Sequence, residues 1–145
     1  MTQIEVVGFA PEHADGVAAL ARAEGWPTFA DPDRAARLCQ APGAIGVVAT
    51  ARPSEADGET GELEVVGAGH LLTDGHHGYL TILMVAQAWR RRGIARRLTD
   101  ECFARSGAVR IDLLSTDDAE PFYRSLLHQR LPGYRIYAHD PRVTA

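Results

Sequence analysis

The chain has 145 residues, 46% of them hydrophobic and 23% charged, which argues for a globular domain with a buried core and against disorder. Its formal charge is −4, and all 15 members of its Lys+Arg set are Arg, so no lysine nucleophile or Schiff base is available. Two cysteines with no CxxC spacing argue against a disulfide scaffold or a zinc site, and no apolar run is long enough to span a bilayer.

The charge is unevenly spread. Residues 1–75 hold 12 acids and 4 Arg, a sum of −8, whereas residues 76–145 hold 7 acids and 11 Arg, a sum of +4. Such halves suit different partners. No basic patch precedes an apolar stretch at the N-terminus, and with free cysteines the expected setting is a reducing cytoplasm.

Residues 4–7 alternate weakly and read as a first strand. Pro11 then opens a helix with Ala14, Val17, Ala18 and Ala21 on one face, which the segment around Gly25 breaks. Asp31-Pro32 is the pattern of an N-cap followed by proline at the first helical position, and predicts a short helix to about Cys39. Residues 45–51 read as a strand, 52–61 as a flexible hairpin loop, and 63–72 as the returning strand, in which Gly67 and Gly69 permit a bulge or a close approach. Asp74 to Gly78 is a turn. Residues 79–86 are almost continuously apolar and predict a central strand buried on both faces.

A helix is expected over 91–105, with Ile94, Ala95, Leu98 and Cys102 facing inward, followed by a buried strand over 109–114. Asp117 with Glu120 resembles a capping box for a helix to about Leu127, and Tyr134 to Ala138 reads as a last strand. The order is β-α-α-β-β-β-α-β-α-β, a mixed central sheet flanked by helices in a single α/β (α+β) domain spanning residues 1–145.

The informative stretch is Leu83-Met84-Val85-Ala86-Gln87-Ala88-Trp89-Arg90-Arg91-Arg92-Gly93-Ile94-Ala95. A buried strand runs into a short turn that opens a helix with small residues at its start. The first amides of a helix lack internal partners and carry the positive end of its dipole, so they attract anions. Gly93 lets the backbone approach a ligand, and Arg90, Arg91 and Arg92 carry charges that can pair with phosphate oxygens. A Walker loop is excluded by the absence of Lys, and Gly67-Ala68-Gly69 lacks the third glycine of a dinucleotide fingerprint.

The hexapeptide Arg90-Arg91-Arg92-Gly93-Ile94-Ala95 matches (Q/R)-x-x-G-x-(G/A) and resembles the acyl-CoA pyrophosphate loop of the GNAT superfamily of N-acyltransferases. Ala119-Glu120-Pro121-Phe122-Tyr123 resembles that family's A-x-x-(F/L)-Y. With the element order, the likeness covers essentially the whole chain.

The resemblance implies a splayed strand whose Leu83, Met84 and Val85 pair with the pantetheine arm of acetyl-CoA, an amide near Leu83 or Met84 polarising the thioester carbonyl. It implies pyrophosphate held by residues 90–95, and Tyr123 as the general acid that protonates departing CoA thiolate. Thr116 stands where the family commonly has Asn and is taken as a cofactor contact; Leu127 stands where it commonly has Gly. The region of Trp26 and Phe29 walls the acceptor pocket in such folds, beside a plain packing role for the two rings; His70 reads first as a satisfied strand histidine and second as a substrate-side candidate.

The expected reaction is direct transfer of acetyl to a primary amine in a ternary complex, with His70, His77, Glu24 and Asp31 as candidate bases and no metal. The acceptor expected from the acidic first half is a small cationic amine or a basic peptide. Two other readings stand beside it: a catalytically silent acyl-CoA-binding module, and an Arg-rich interaction or nucleic-acid-binding protein. The preferred reading has no nucleic-acid or membrane partner, and the chain as monomer or homodimer.

Overall fold

The computed structural model describes residues 3–52 and 62–142. The expected hairpin loop lies, from residue 53 on, outside the described residues. The contacts divide the chain into two units, Met1–Leu113 and Leu114–Ala145.

The first unit is a five-stranded sheet in the order β1-β2-β3-β4-β5, comprising β1 (Gln3–Gly8), β2 (Ala44–Arg52), β3 (Glu64–Thr73), β4 (His77–Val85) and β5 (Arg110–Asp112). The first four strands are antiparallel; β5 joins β4 in parallel, so the sheet is mixed as expected. Helices α1 (Ala14–Glu24) and α2 (Pro32–Cys39) pack on one face through Val17, Leu20, Ala21, Ala35 and Cys39 against Val48, Ala68, Ile82 and Met84.

Helix α3 (Ile94–Ser106) takes the other face. A Cβ at Gly67 would stand 3.1 Å from both Ile94 Cγ2 and Leu98 Cδ1, and one at Gly69 would stand 3.8 Å from Cys102 Sγ. The two glycines therefore seat α3 on β3, which is the close approach the sequence allowed. Ile94, Leu98 and Cys102 are all buried there, and each fully buried Leu or Ile contributes about 1.5–3 kcal/mol.

Local signals hold where they are chemical. Asp31 caps α2, its carboxylate accepting the Arg34 amide at 2.9 Å, with Pro32 at the first helical position. A 3-10 turn over Pro11–His13 leads into α1, which ends on Gly25 at φ 78°.

Other expectations are corrected. β4 is not buried on both faces: burial alternates along it, and Tyr79 is 38% exposed. α3 starts at Ile94 and not at Arg91, because the arginines before it form a turn. β5 is three residues long and half open, with Val109 68% exposed, instead of a buried strand over 109–114.

In the second unit a 3-10 turn over Asp117–Ala119 precedes α4 (Glu120–Arg124), which is shorter than the helix expected to Leu127. The capping box does not form, since the Glu120 carboxylate is taken by Arg124 at 3.4 Å and Arg130 at 3.0 Å. Tyr134 to Ala138 form no strand; their side chains are exposed, and nothing pairs their backbone into a ladder. The observed order is β-α-α-β-β-β-α-β-α among the described residues.

Candidate active site

The site grows from the end of β4. On one edge Leu83, Met84 and Val85 face Gly69, Ala68 and Gly67 of β3. On the other edge β5 pairs only with His77, Gly78 and Tyr79. Beyond Tyr79 that edge has no strand partner among the described residues; Leu83 and Val85 turn their backbone groups toward it, Met84 bonds into β3, and Val85 O is taken by Arg90.

A 3-10 turn over Gln87–Trp89 follows, and then a tight loop with two left-handed residues, Arg91 at φ 64° and Gly93 at φ 77°. The conformation costs Gly93 nothing, whereas Arg91 carries about 1–2 kcal/mol of backbone strain. A Cβ on Gly93 would meet nothing within 4 Å, so glycine is required there by its φ and not by crowding. The first bond of α3 runs from Arg97 N to Gly93 O at 3.1 Å. The amides of Ile94, Ala95 and Arg96 thus have no partner within the helix and form the positive end of its dipole.

The arginines are not equivalent. Arg90 turns back: its Nη2 donates to both carboxylate oxygens of Glu24 at 2.9 and 3.0 Å, and its Nε donates to Val85 O at 3.2 Å. Arg92 lies over the Trp89 ring, 4.7 Å from its centre. Arg96 pairs with Asp100, and Arg97 donates to Ile4 O of β1. Arg91 alone of these five has no side-chain partner among the described residues.

His70 is 4% exposed and fully occupied. Its Nε2 lies 2.8 Å from Leu38 O, a carbonyl that can only accept, so Nε2 carries the proton of the neutral ring. Nδ1 then accepts from Thr81 Oγ1 at 2.6 Å, the hydroxyl's one hydrogen being shared with His70 O at 3.2 Å. Burial lowers its pKa, partly opposed by the bond to Leu38. Phe29 packs on its ring, centroids 5.2 Å apart, and is itself buried. Both therefore sit in the core; Trp26 is half-buried at its margin.

Among the other candidate bases, Glu24 is bound to Arg90, Asp31 is used as a cap, and His77 is exposed where the turn after Asp74 enters β4. That turn is closed by Asp74 Oδ1, which accepts the His76 and His77 amides at 2.9 Å. No group of three or more His, Cys, Asp or Glu placed to hold a metal occurs among the described residues. Burial pushes the Cys39 thiol up to about 11 and that of Cys102 up to about 12, so neither is a nucleophile at neutral pH.

In the second unit Tyr123 is half-buried on α4, edge-to-face with Phe122 at 5.1 Å. Burial pushes its phenol up to about 12. Thr116 is exposed at the start of the preceding turn, where its carbonyl accepts Ser115 Oγ and the Ala119 amide; its hydroxyl makes no cap bond. The Arg90–Glu24 pair is the feature that sequence reasoning missed. Its partners lie 66 positions apart, and no local pattern links them.

An acetyltransferase (GNAT) domain model matches residues 55–126. No curated protein matches the chain by sequence. Among solved structures, a protein of Deinococcus radiodurans R1 assigned as an acetyltransferase is 25% identical, with a TM-score of 0.67 over 94% of this chain and 88% of that one. Ribosomal-protein-alanine N-acetyltransferase of Brucella melitensis biovar Abortus 2308 is 17% identical, with a TM-score of 0.66 over 93% of this chain and 99% of that one. The aminoglycoside N-acetyltransferase AAC(6')-Iy in complex with CoA is 16% identical, with a TM-score of 0.63 over 94% and 96% of the two chains. At such identities the last two show the fold alone. By the domain match, residues 55–126 are part of an acetyltransferase (GNAT) domain, and the chain shares the fold of GNAT acetyltransferases.

Proposed function

We propose that this chain moves an acetyl group from acetyl-CoA to a primary amine in a ternary complex. The observation that carries the reading is the open edge of β4 leading directly into the Gly93-capped N-terminus of α3. An extended pantetheine arm suits the outward-facing backbone of Leu83 and the Val85 amide, and a pyrophosphate suits the free amides of residues 94–96 with the unpaired Arg91. Acetyl-CoA supplies the thioester carbon. The amine nitrogen forms the new N–C bond, the C–S bond breaks, and the amine proton passes to a base or to water. On the family resemblance Tyr123 gives its proton to the departing sulfur, and its raised pKa keeps that proton in place until it is needed. The two raised cysteine thiols suit direct transfer without a covalent enzyme intermediate.

The acceptor side rests on charge. Glu5, Glu12, Asp15, Glu24, Asp31 and Asp33 fall within residues 1–33, which favours a small cationic amine or a basic peptide. Glu24 is neutralised by Arg90, so the other five carry that argument.

Titration calorimetry with acetyl-CoA, followed by thiol release across a panel of polyamines, aminoglycosides and peptide amino termini, tests the proposal. Saturable binding and release with at least one amine are expected. No heat with acetyl-CoA would overturn it; binding without release on every amine would reduce the chain to an acyl-CoA-binding module.

A further inference from the structure

Arg90 heads the loop read here as the pyrophosphate site, yet its guanidinium is spent elsewhere. Nε is used on Val85 O and Nη2 on both oxygens of Glu24, so Nη1 is the one nitrogen with no hydrogen bond among the described residues. Glu24 is the last residue of α1, and its side chain is only 14% exposed. Val85 O closes β4. One side chain therefore ties three parts together: the end of the strand with the open edge, the end of α1, and the turn that begins the anion loop. The pair is also electrically neutral as a unit, so it adds little attraction for a phosphate.

We propose that Arg90 is a positioning residue and not a phosphate ligand, and that with Glu24 it fixes the entry of the loop so that Arg91 and the amides of residues 94–96 face the pyrophosphate. The assignment rests on the acetyl-CoA reading above.

The two roles predict opposite signs at Glu24. If Arg90 were a phosphate ligand, Glu24→Gln would release it and tighten acetyl-CoA binding or leave it unchanged. For a positioning pair, Glu24→Gln and Arg90→Gln each weaken acetyl-CoA about three- to tenfold, and the double variant is no weaker than either single one, because both remove the same linkage. Arg90→Lys keeps the charge but cannot fork onto both Glu24 and Val85 O, and behaves like Arg90→Gln.

The test measures acetyl-CoA affinity by calorimetry for the five proteins, together with kcat and KM for acetyl-CoA and for S-acetylpantetheine, which lacks the pyrophosphate. The expected result is a raised KM for acetyl-CoA, kcat within about twofold of wild type, and an unchanged KM for S-acetylpantetheine. A merely destabilising substitution would affect both donors alike, and that result would overturn the proposal. So would undiminished binding in Glu24→Gln or Arg90→Lys, or additive losses in the double variant. Arg90 is 53% exposed, so its variants report even where Glu24→Gln unsettles α1. Failure of the wild type to bind acetyl-CoA would remove the functional reading and this inference together; wild-type binding with unchanged variants would remove this inference alone.

Discussion

Tyr123 is the residue on which the proposed chemistry can be tested most directly. A phenol at about 12 is a poor base and a secure proton store, because less than about one part in a thousand ionises at pH 8. Removing only the hydroxyl should leave the half-buried ring in place beside Phe122. Tyr123→Phe is therefore expected to lower kcat at least about tenfold, within the usual worth of a general acid, with acetyl-CoA affinity nearly unchanged. Steady-state kinetics and calorimetry check the two halves of that statement. The pH profile adds a sign: wild-type kcat should rise as the amine loses its proton and then stay level, with no fall assignable to Tyr123 below about pH 11. Equal turnover of the two proteins would take Tyr123 out of the mechanism. The strained Arg91 makes a similar point at the loop, since backbone strain of that kind persists where the surroundings impose it.

Among the elements, α3 decides where the anion site stands, and Gly67 decides where α3 stands. Its missing Cβ leaves space for Ile94 and Leu98, the anchors of the first turns of the helix, and Met84 O lies only 3.3 Å from the same point. Gly67→Ala must move a packed helix or strain a strand, at an expected cost of about 1–3 kcal/mol, and should weaken acetyl-CoA binding by displacing the amides of residues 94–96. Thermal melts with and without acetyl-CoA measure both effects; a variant as stable and as tight as wild type would contradict this account of the packing.

The same element shows what a sequence can carry. Gly93, the small residues after it and the Ile94, Leu98, Cys102 stripe are local patterns, and α3 was legible from them to within three residues at its start. The Asp31-Pro32 cap and the return of β3 along β2 were legible for the same reason. The fate of Arg90 was not, because a bidentate contact with Glu24 depends on how α1 meets the end of β4. Nor was the partner of His70 legible, since Leu38 O belongs to a different element. The terminal strand at Tyr134 to Ala138 failed for the opposite reason: a local stretch can read as a strand, but a strand exists only when an edge pairs with it.

At the scale of the whole chain the lopsided charge changes its meaning. Among the five arginines at 90, 91, 92, 96 and 97, Arg90 and Arg96 are matched by carboxylates, Arg97 by a backbone carbonyl and Arg92 by an indole face. The +4 of the second half is therefore not a free polyanion-binding field around the loop, and one unmatched arginine is left for a ligand.

A different group, His70, links the stability of the fold to pH. It joins β3, β4 and α2 through Thr81 and Leu38, and burial holds its pKa below the ordinary value of 6.5. The unfolded chain then binds more protons than the native one at pH values between the depressed native pKa and about 6.5, so stability rises with pH across that window. This contribution is fully present above about pH 6.5 and is lost progressively as the pH falls toward the native pKa. Melting temperatures measured from pH 8 to pH 5 should stay level at first and then fall below about pH 6.5. His70→Gln keeps a donor near Leu38 O but cannot take up a proton in this range, so its melting curve is expected to lie lower at pH 8 and to lose that part of the slope. An identical slope in the variant would mean that another group drives the acid loss, and that the clasp on Leu38 does not couple protonation to the fold.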